Sequence, residues 1–211
     1  MKRIDMSSYP RRAHFEHFYG MAYPYVGMTV EVDVTELRAL CKARGYSFYL
    51  MVMHAVALAA DEVEEFRMRI DNGGIVVYDE CPTSHTELKA DGTYVYCALR
   101  HHMPLAEYIA QAEAARKAAQ ESGTLEEEGD VNSLYFISCV PWVHYSALLQ
   151  PTCSGEDANP RITWGKYQED AKGRLMMPLT VLLHHALADG LHIARFYEHF
   201  DAQVKRLCME G

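Results

Sequence analysis

Apolar positions recur along the chain at two spacings, one typical of strands and the other of helices. Residues 27–34 alternate apolar and polar side chains, which predicts a half-buried strand. Residues 178–183 form a short apolar run that predicts a buried strand, and residues 191–207 carry apolar or aromatic side chains close to the spacing of one helix face. The chain is therefore predicted to mix helices with strands.

Start and stop residues predict further helices. These are expected over residues 11–19, 35–44, 47–63 and 104–120. Gly45 ends the second because glycine readily takes the left-handed conformation that follows a helix, and Ser47 can cap the third. Pro104 begins the fourth, where the missing N–H of proline costs no hydrogen bond.

Turn residues and acidic residues mark the segments between these helices. Residues 71–74 read Asp-Asn-Gly-Gly between two apolar stretches, which predicts a hairpin because asparagine and glycine tolerate positive φ. Further strands are expected over residues 132–140 and 161–167. The segment 122–130 is predicted to be a solvated surface loop, with a functional acidic site as the alternative. Its consecutive glutamates are Glu126, Glu127 and Glu128.

Composition narrows the class of protein. With 211 residues and 49% hydrophobic content, the chain can form one domain over residues 1–211. A net charge of -9 without a basic stripe argues against nucleic acid and anionic membranes as partners. The apolar stretches at 48–60 and 175–183 are too short to span a bilayer. The 6 cysteines form no Cys-x-x-Cys pair and follow no secretion signal, which indicates reduced thiols in a soluble, cytoplasmic protein.

The end of the apolar run at residue 183 carries the clearest candidate chemistry. His184 and His185 follow this run, and Asp189-Gly190 form a turn before the last helix. A histidine at such a corner suits general-base catalysis, because imidazole takes up a proton near neutral pH and a carbonyl or carboxylate can fix its second nitrogen. A hydrogen-bonded core histidine is the alternative.

The pattern His-x-x-x-Asp-Gly, formed by His185, Asp189 and Gly190, resembles the active-site signature of the chloramphenicol acetyltransferase family. That family is related more distantly to the acyltransferase cores of 2-oxo acid dehydrogenase complexes. Four further blocks resemble the family's in order and spacing. They are Arg-Arg-Ala-His-Phe-Glu-His-Phe at 11–18, Glu-Phe-Arg-Met at 65–68, Phe-Ile-Ser-Cys-Val-Pro-Trp-Val at 136–143 and Thr-Trp-Gly-Lys-Tyr at 163–167.

The resemblance implies an α/β fold of the coenzyme A-dependent acyltransferase type, a two-layer sandwich in which helices cover a mixed sheet. It implies transfer of an acetyl group from acetyl-CoA to a hydroxyl of chloramphenicol or a similar small molecule, without a metal. It also implies a homotrimer with active sites between subunits. On that basis Phe18, Tyr25 and Leu88 of the acceptor pocket are expected across an interface from His185.

The resemblance also assigns catalytic roles. His185 is expected to be the general base, and Ser138 the hydrogen-bond donor to the oxyanion. Asp189 and Arg11 are expected to form a structural ion pair, with Arg12 as the alternative arginine. Thr163 is expected to bind a water near the tetrahedral intermediate. The Gly-x-Ser-x-Gly motif of a serine nucleophile is absent around Ser138, which argues against an acyl-serine.

Other resemblances concern the coenzyme and the acceptor. Residues expected at the coenzyme site are Trp142, Lys166 and Tyr167. Ser47 stands where the family has a lysine near the coenzyme phosphates, and residues 22–27 and 85–88 depart from the family's blocks. These departures predict a smaller and more polar acceptor pocket, so acetyl transfer is better supported than chloramphenicol as its acceptor.

Two other functions are weighed against this one. A lipoamide-type acyltransferase core is disfavoured because the 211 residues carry no lipoyl domain or flexible linker. An inactive ligand-binding or metal-binding homologue would use the cluster of His184, His185, Asp189 and His192. No metal is expected there, because adjacent histidines on an extended strand point to opposite faces.

Overall fold

The chain is described by a computed structural model over residues 1–127 and 129–210. The five predicted helices are present, and their bounds are α1 Arg12–Tyr19, α2 Thr35–Arg44, α3 Phe48–Asp61, α4 Leu105–Ser122 and α5 Gly190–Glu210. The strands are β1 Lys2–Arg3, β2 Tyr25–Asp33, β3 Met68–Asp71, β4 Gly74–Val77, β5 Thr83–Leu88, β6 Tyr94–Leu99, β7 Tyr135–Val140, β8 Arg161–Gly165, β9 Gln168–Glu169 and β10 Leu175–His184.

The main sheet is mixed, as predicted. Its strand order is β2-β10-β8-β7-β5-β6, with β9 paired to β10. The β5–β7 and β7–β8 pairs are parallel, and the other pairs are antiparallel. Apolar side chains from one face of this sheet, including Ile162, Leu179 and Val181, share a core cluster with α2, α3, α4 and α5. Helices therefore cover one face of the sheet, which confirms the two-layer architecture.

The predicted hairpin is also present. Strands β1, β4 and β3 form a small antiparallel sheet, and β3 and β4 are joined at Asn72 and Gly73. Both residues have positive φ, at 48° and 69°. Two successive positive φ values match the twist of the flanking strands, which is why Asn-Gly favours this turn.

Local signals predicted helices better than strands. The bounds of α2 match the expectation, Gly45 follows it with a φ of 72°, and the Ser47 side chain accepts a hydrogen bond from the Leu50 N–H. The expected strand at 132–140 begins only at Tyr135, because Val131–Ser133 forms a 3-10 turn capped by Asp130. The strand at 161–167 ends at Gly165. Strands β5 and β6 were not predicted.

The acidic loop is only partly as expected. Helix α4 continues to Ser122, and Glu127 accepts a hydrogen bond from the Ser84 hydroxyl at 2.6 Å, so Glu127 is tied to β5 and not simply solvated. Glu128 lies outside the described residues. All 6 cysteines are free thiols. Among the described helices, none combines the length and hydrophobicity of a membrane-spanning segment.

A gap between two strands opens the sheet at one end. Pairing between β5 and β7 stops at His85 and Ile137, whereas β5 stays paired with β6 as far as Leu88 and β7 with β8 as far as Val140. The two strand pairs therefore diverge beyond that point. Ser138 lies immediately past the last paired residue, at the start of this cleft.

Arg69 in β3 connects the small sheet to the approach to β7. Its side chain is fully buried. It donates hydrogen bonds to the backbone carbonyls of Phe66, Met68, Asn132, Ser133 and Leu134. The guanidinium also lies over the Tyr135 ring at 5.6 Å. The planar, five-donor geometry of arginine matches this set of acceptors, which the ammonium of lysine cannot reproduce.

Arg69→Lys should lower the free energy of unfolding by about 2–4 kcal/mol, because hydrogen bonds to charged groups are lost inside the protein. Urea unfolding followed by circular dichroism measures this change. Arg12→Lys is the matched control. The exposed Arg12 guanidinium pairs with Glu16 on the surface of α1, so this change should alter stability by less than about 0.5 kcal/mol. Equal stability of Arg69→Lys and wild type would contradict the structural role assigned to Arg69.

Candidate active site

His185 lies immediately after β10 and is held on several sides. Its backbone N–H donates to the Pro24 carbonyl at 2.7 Å, and its ring stacks on Phe18 with 3.9 Å between ring centroids. Nδ1 lies 3.0 Å from the Ala188 carbonyl oxygen, which can only accept, so the ring proton resides on Nδ1. The lone pair of Nε2 is then available to take a proton, as a general base requires.

The neighbouring His184 is a structural residue. It is buried, its Nε2–H donates to the Gly155 carbonyl at 2.9 Å, and its Nδ1 accepts from the Ala186 N–H at 3.2 Å. Burial lowers the pKa of His184, because the charged form is poorly solvated there. Both ring nitrogens are occupied, so His184 has no free lone pair for catalysis.

Asp189 and Arg11 form the expected ion pair at this corner. Arg11 Nη1 donates to Asp189 Oδ2 at 2.6 Å, while Oδ1 accepts from the Leu191 N–H at the start of α5. Burial acts to raise the pKa of Asp189, but the Arg11 hydrogen bond and other favourable contacts outweigh it and lower that pKa to about 2. Arg12 instead pairs with Glu16 on an exposed face of α1. Arg11 is therefore the arginine that fixes the corner.

His192 and Glu65 extend this network, a role that sequence reasoning missed. It considered His192 only as part of a metal cluster and Glu65 only within a family-like block. His192 is buried, with Nδ1 at 2.9 Å from Asp189 Oδ1 and Nε2 at 3.2 Å from Glu65 Oε1. The spacing of three residues between Asp189 and His192 at a helix start was a usable signal, since such side chains face each other. The partnership with Glu65 depends on tertiary structure.

A row of hydroxyl side chains crosses the sheet on the face opposite the helices. Ser138 in β7 pairs with Thr163 in β8, which pairs with Thr180 in β10. Thr86 Oγ1 lies 3.5 Å from Ser138 Oγ across the cleft. Thr163 Oγ1 donates to Gln150 Oε1 at 2.8 Å, so the Thr163 hydroxyl can still accept hydrogen bonds but cannot donate another.

The cleft between β5 and β7 contains a cavity of about 610 Å³. Five of the residues singled out from sequence line it: Leu88, Ser138, Trp142, Lys166 and Tyr167. The Tyr167 hydroxyl accepts from Arg38 Nε at 3.1 Å, which fixes that ring at the wall. The predicted oxyanion donor and the three predicted coenzyme residues thus share one cavity.

A buried ion pair that sequence reasoning did not single out forms part of the same wall. Glu87 in β5 is 2% exposed and accepts two hydrogen bonds from Arg116 of α4, at 2.5 and 3.0 Å. The Arg116 guanidinium lies 4.9 Å from the Tyr49 ring. Burial acts to raise the pKa of Glu87, but His85 and Arg116 lower it, so the carboxylate stays ionised. Within this pair the negative charge of Glu87 and the positive charge of Arg116 compensate each other.

His185 and Ser138 lie in different parts of one chain. Ser138 of β7 lies level with Thr180 of β10, because both residues pair with Thr163 of β8. His185 is five positions beyond Thr180. His185 and Ser138 are therefore separated by about 16 Å along the strand direction and by about 10 Å, or two strand spacings, across the sheet. The expectation that Phe18 and Tyr25 lie across an interface from His185 is wrong, because Phe18 stacks on His185 within the chain. The register also places Tyr25 opposite His184, so the three predicted pocket residues divide between the two regions.

Comparison with solved structures identifies the class of protein to which this fold belongs. A chloramphenicol acetyltransferase has a TM-score of 0.88 at 26% identity, covering 96% of this chain and 99% of that one. A dihydrolipoamide acetyltransferase from Azotobacter vinelandii has a TM-score of 0.70 at 18% identity, covering 93% and 88%, and shares the fold. The fold is that of the acyltransferase class to which both of these structures belong.

The sequence comparisons give the family. Chloramphenicol acetyltransferase 2 of Escherichia coli is 28% identical over 197 residues, covering 92% of both chains. The chloramphenicol acetyltransferase of Proteus mirabilis is 26% identical over 212 residues, covering 99% of this chain and 94% of that one. The chain belongs to the chloramphenicol acetyltransferase family, whose model matches residues 1–201.

The Asp189 ion pair should make stability depend on pH in the acid range. Its folded-state pKa lies below the unfolded value of about 3.9, so the ionised carboxylate stabilises the fold above about pH 4. That contribution is lost as the pH falls toward about 2. The difference in free energy of unfolding between wild type and Asp189→Asn should therefore be largest near neutral pH and shrink with acidification.

Urea unfolding at a series of pH values measures this difference. Asp201→Asn is a suitable control, because Asp201 forms an exposed pair with Lys205 and should show little pH-dependent difference from wild type. A gap between wild type and Asp189→Asn that stays constant with pH would show that the Asp189 charge does not stabilise the corner.

Proposed function

We propose that the protein is an acetyl-CoA-dependent O-acetyltransferase acting on chloramphenicol or a similar hydroxylated small molecule. The observation that carries this proposal is the hydrogen bond from His185 Nδ1 to the Ala188 carbonyl, which leaves Nε2 free at a corner braced by Arg11 and Asp189. The family membership adds the acetyl donor and the type of acceptor.

The reaction follows from two groups acting on one carbonyl. His185 Nε2 removes the proton of the acceptor hydroxyl as its oxygen bonds to the thioester carbonyl carbon. Ser138 Oγ donates a hydrogen bond to the oxyanion that forms. As the tetrahedral intermediate collapses, the carbon–sulfur bond breaks, and the proton on His185 passes to the leaving thiolate. Phe18 and the Ala188 carbonyl keep the imidazole oriented throughout.

The cavity wall suits coenzyme A as the acetyl donor. Trp142 is 66% exposed at the cavity and, together with Tyr167, offers an aromatic surface for the adenine ring. Lys166 supplies a cation for phosphate. The thioester arm then extends into the cleft between β5 and β7, where Ser138 lies. A glycine-rich phosphate loop is absent from the sequence, so side chains hold the coenzyme.

The separation of His185 from Ser138 supports a homotrimer. One thioester carbonyl cannot contact two groups that lie about 16 Å apart along the strand and two strands across. An interface in which the His185 corner of one chain faces the Ser138 cavity of the next brings the two together. Repeated around a closed ring of three, this head-to-tail contact gives three equivalent sites.

Activity assays test the proposed reaction. Acetyl-CoA and chloramphenicol, followed by a panel of other alcohols, should release free thiol with the wild type, and His185→Ala should abolish this turnover while the variant still folds. Ser138→Ala should lower kcat by about 10²-fold or more with little change in KM, because its hydrogen bond forms only after attack.

His14→Ala is the control for these assays, since His14 is an exposed residue of α1. Near wild-type transfer by His185→Ala would show that another group is the base. An unchanged kcat in Ser138→Ala would leave Ser138 with a packing role only.

Subunit mixing tests the assembly. His185→Ala and Ser138→Ala chains, each nearly inactive alone, should regain activity when exchanged, because an intact His185 corner can meet an intact Ser138 cavity. With equal random mixing in a ring of three, about a quarter of the sites combine one intact half from each parent, which sets the expected activity relative to wild type. No recovery after verified subunit exchange, or a fully active monomer in light scattering, would place the whole site within one chain.

A further inference from the structure

Three metal-ligating side chains meet outside the regions described above. Asp61 is the last residue of α3, and His101 and His102 lie between β6 and α4. One ligand atom from each lies within 4.8 Å of the other two. The Nε2 atoms of His101 and His102 are each 2.6 Å from Asp61 Oδ2. Two adjacent histidines therefore converge on one carboxylate oxygen.

The carboxylate is oriented from behind. The Tyr135 hydroxyl donates to Asp61 Oδ1 at 2.7 Å, which leaves Oδ2 directed at both imidazoles. An outer hydrogen bond of this kind fixes a ligating carboxylate and is a usual part of metal sites. The side chains of His101 and Asp61 are 1% and 11% exposed, whereas that of His102 is 49% exposed. The cluster is thus rigid on its protein side and open on its solvent side.

We propose that this cluster binds one divalent transition metal ion of the zinc class, through Nε2 of His101, Nε2 of His102 and the Asp61 carboxylate. Zinc lies about 2.0–2.2 Å from such nitrogen and oxygen donors, so the donor atoms must be less than about 4 Å apart. Two of the three separations are 2.6 Å, a hydrogen-bond distance. Two ligands of one tetrahedral zinc ion lie roughly 3.3 Å apart, so metal binding replaces these hydrogen bonds and moves the donor atoms apart by less than about 1 Å.

The donor set selects among metals. Calcium and magnesium bind through oxygen ligands, and this cluster offers two imidazoles and one carboxylate oxygen. Two histidines and one carboxylate form a common zinc set, with water completing the coordination. Half-exposed His102 gives both a path for entry and a face at which water can bind.

Hydrogen bonding alone gives a weaker account of His102. The His102 side chain is 49% exposed, so water weakens its attraction to Asp61, and fixing the imidazole costs side-chain entropy. A shared metal ion gives this ring a reason to converge with buried His101 on one point. The bound ion would join the end of α3 to the segment before α4, and should therefore stabilise the fold without entering the transfer reaction.

Metal titration tests the site in the full-length protein after removal of metals with a chelator. Zinc added in a calorimeter should bind with one ion per chain and raise the melting temperature, because an ion that binds the folded state stabilises it. His102→Ala should lose both effects. His14→Ala, which removes an exposed histidine on α1, should keep both.

His102→Gln separates the metal site from a hydrogen-bonded cluster, since glutamine keeps an N–H donor for Asp61 but lacks the imidazole ligand. It should also lose zinc binding. Binding that persists in either His102 variant would overturn the proposal. So would cobalt binding with a thiolate charge-transfer band, which would locate the metal at a cysteine such as exposed Cys153. These measurements use no acetyl donor, so they are independent of the proposed acetyl transfer.

Discussion

The register of β10 between β2 and β8 determines where every part of the candidate site lies. Side chains alternate along a strand, so a slip by one residue would exchange buried His184 with His185 and move Thr180 to the other face. Gly27 helps to fix this register, because a Cβ there would lie 2.9 Å from the Val181 carbonyl oxygen. The close approach of β2 and β10 at this point requires glycine, and the histidine corner follows a few residues later.

Elements bounded by local chemistry were predictable from the sequence. Gly45 takes the left-handed conformation that ends α2, and Asn72 and Gly73 take the positive φ values of the hairpin turn. In each case the deciding interaction lies within a few residues of the chain. The strand-to-helix corner at His185 was predictable for the same reason, since an apolar run, an Asp-Gly pair and a helical pattern follow one another directly.

Features that depend on distant partners were not predictable. Strand β5 reads Thr-Ser-His-Thr-Glu-Leu, and this polar composition hides a strand in which Thr83, Ser84, His85 and Glu87 are buried. Burial of the Glu87 carboxylate is feasible because Arg116 of α4 pairs with it. Arg116 lies 29 positions away in sequence, so no local pattern indicates this pairing. The family resemblance led to Phe18 being expected across an interface, and no local signal shows that α1 stacks it on His185.

The buried pair also bears on the acceptor. Without Arg116, the Glu87 carboxylate would be an unpaired negative charge in the cavity wall. Either residue without its partner would favour a ligand of opposite charge. With Arg116 bound through two hydrogen bonds, this part of the wall presents polar atoms but no net charge. A neutral acceptor with hydroxyl and amide groups can form hydrogen bonds to such a wall, and its binding does not bury an unpaired charge. The neutrality of this ion pair therefore favours an uncharged acceptor, and the proposed transfer chemistry adds the requirement of a hydroxyl group.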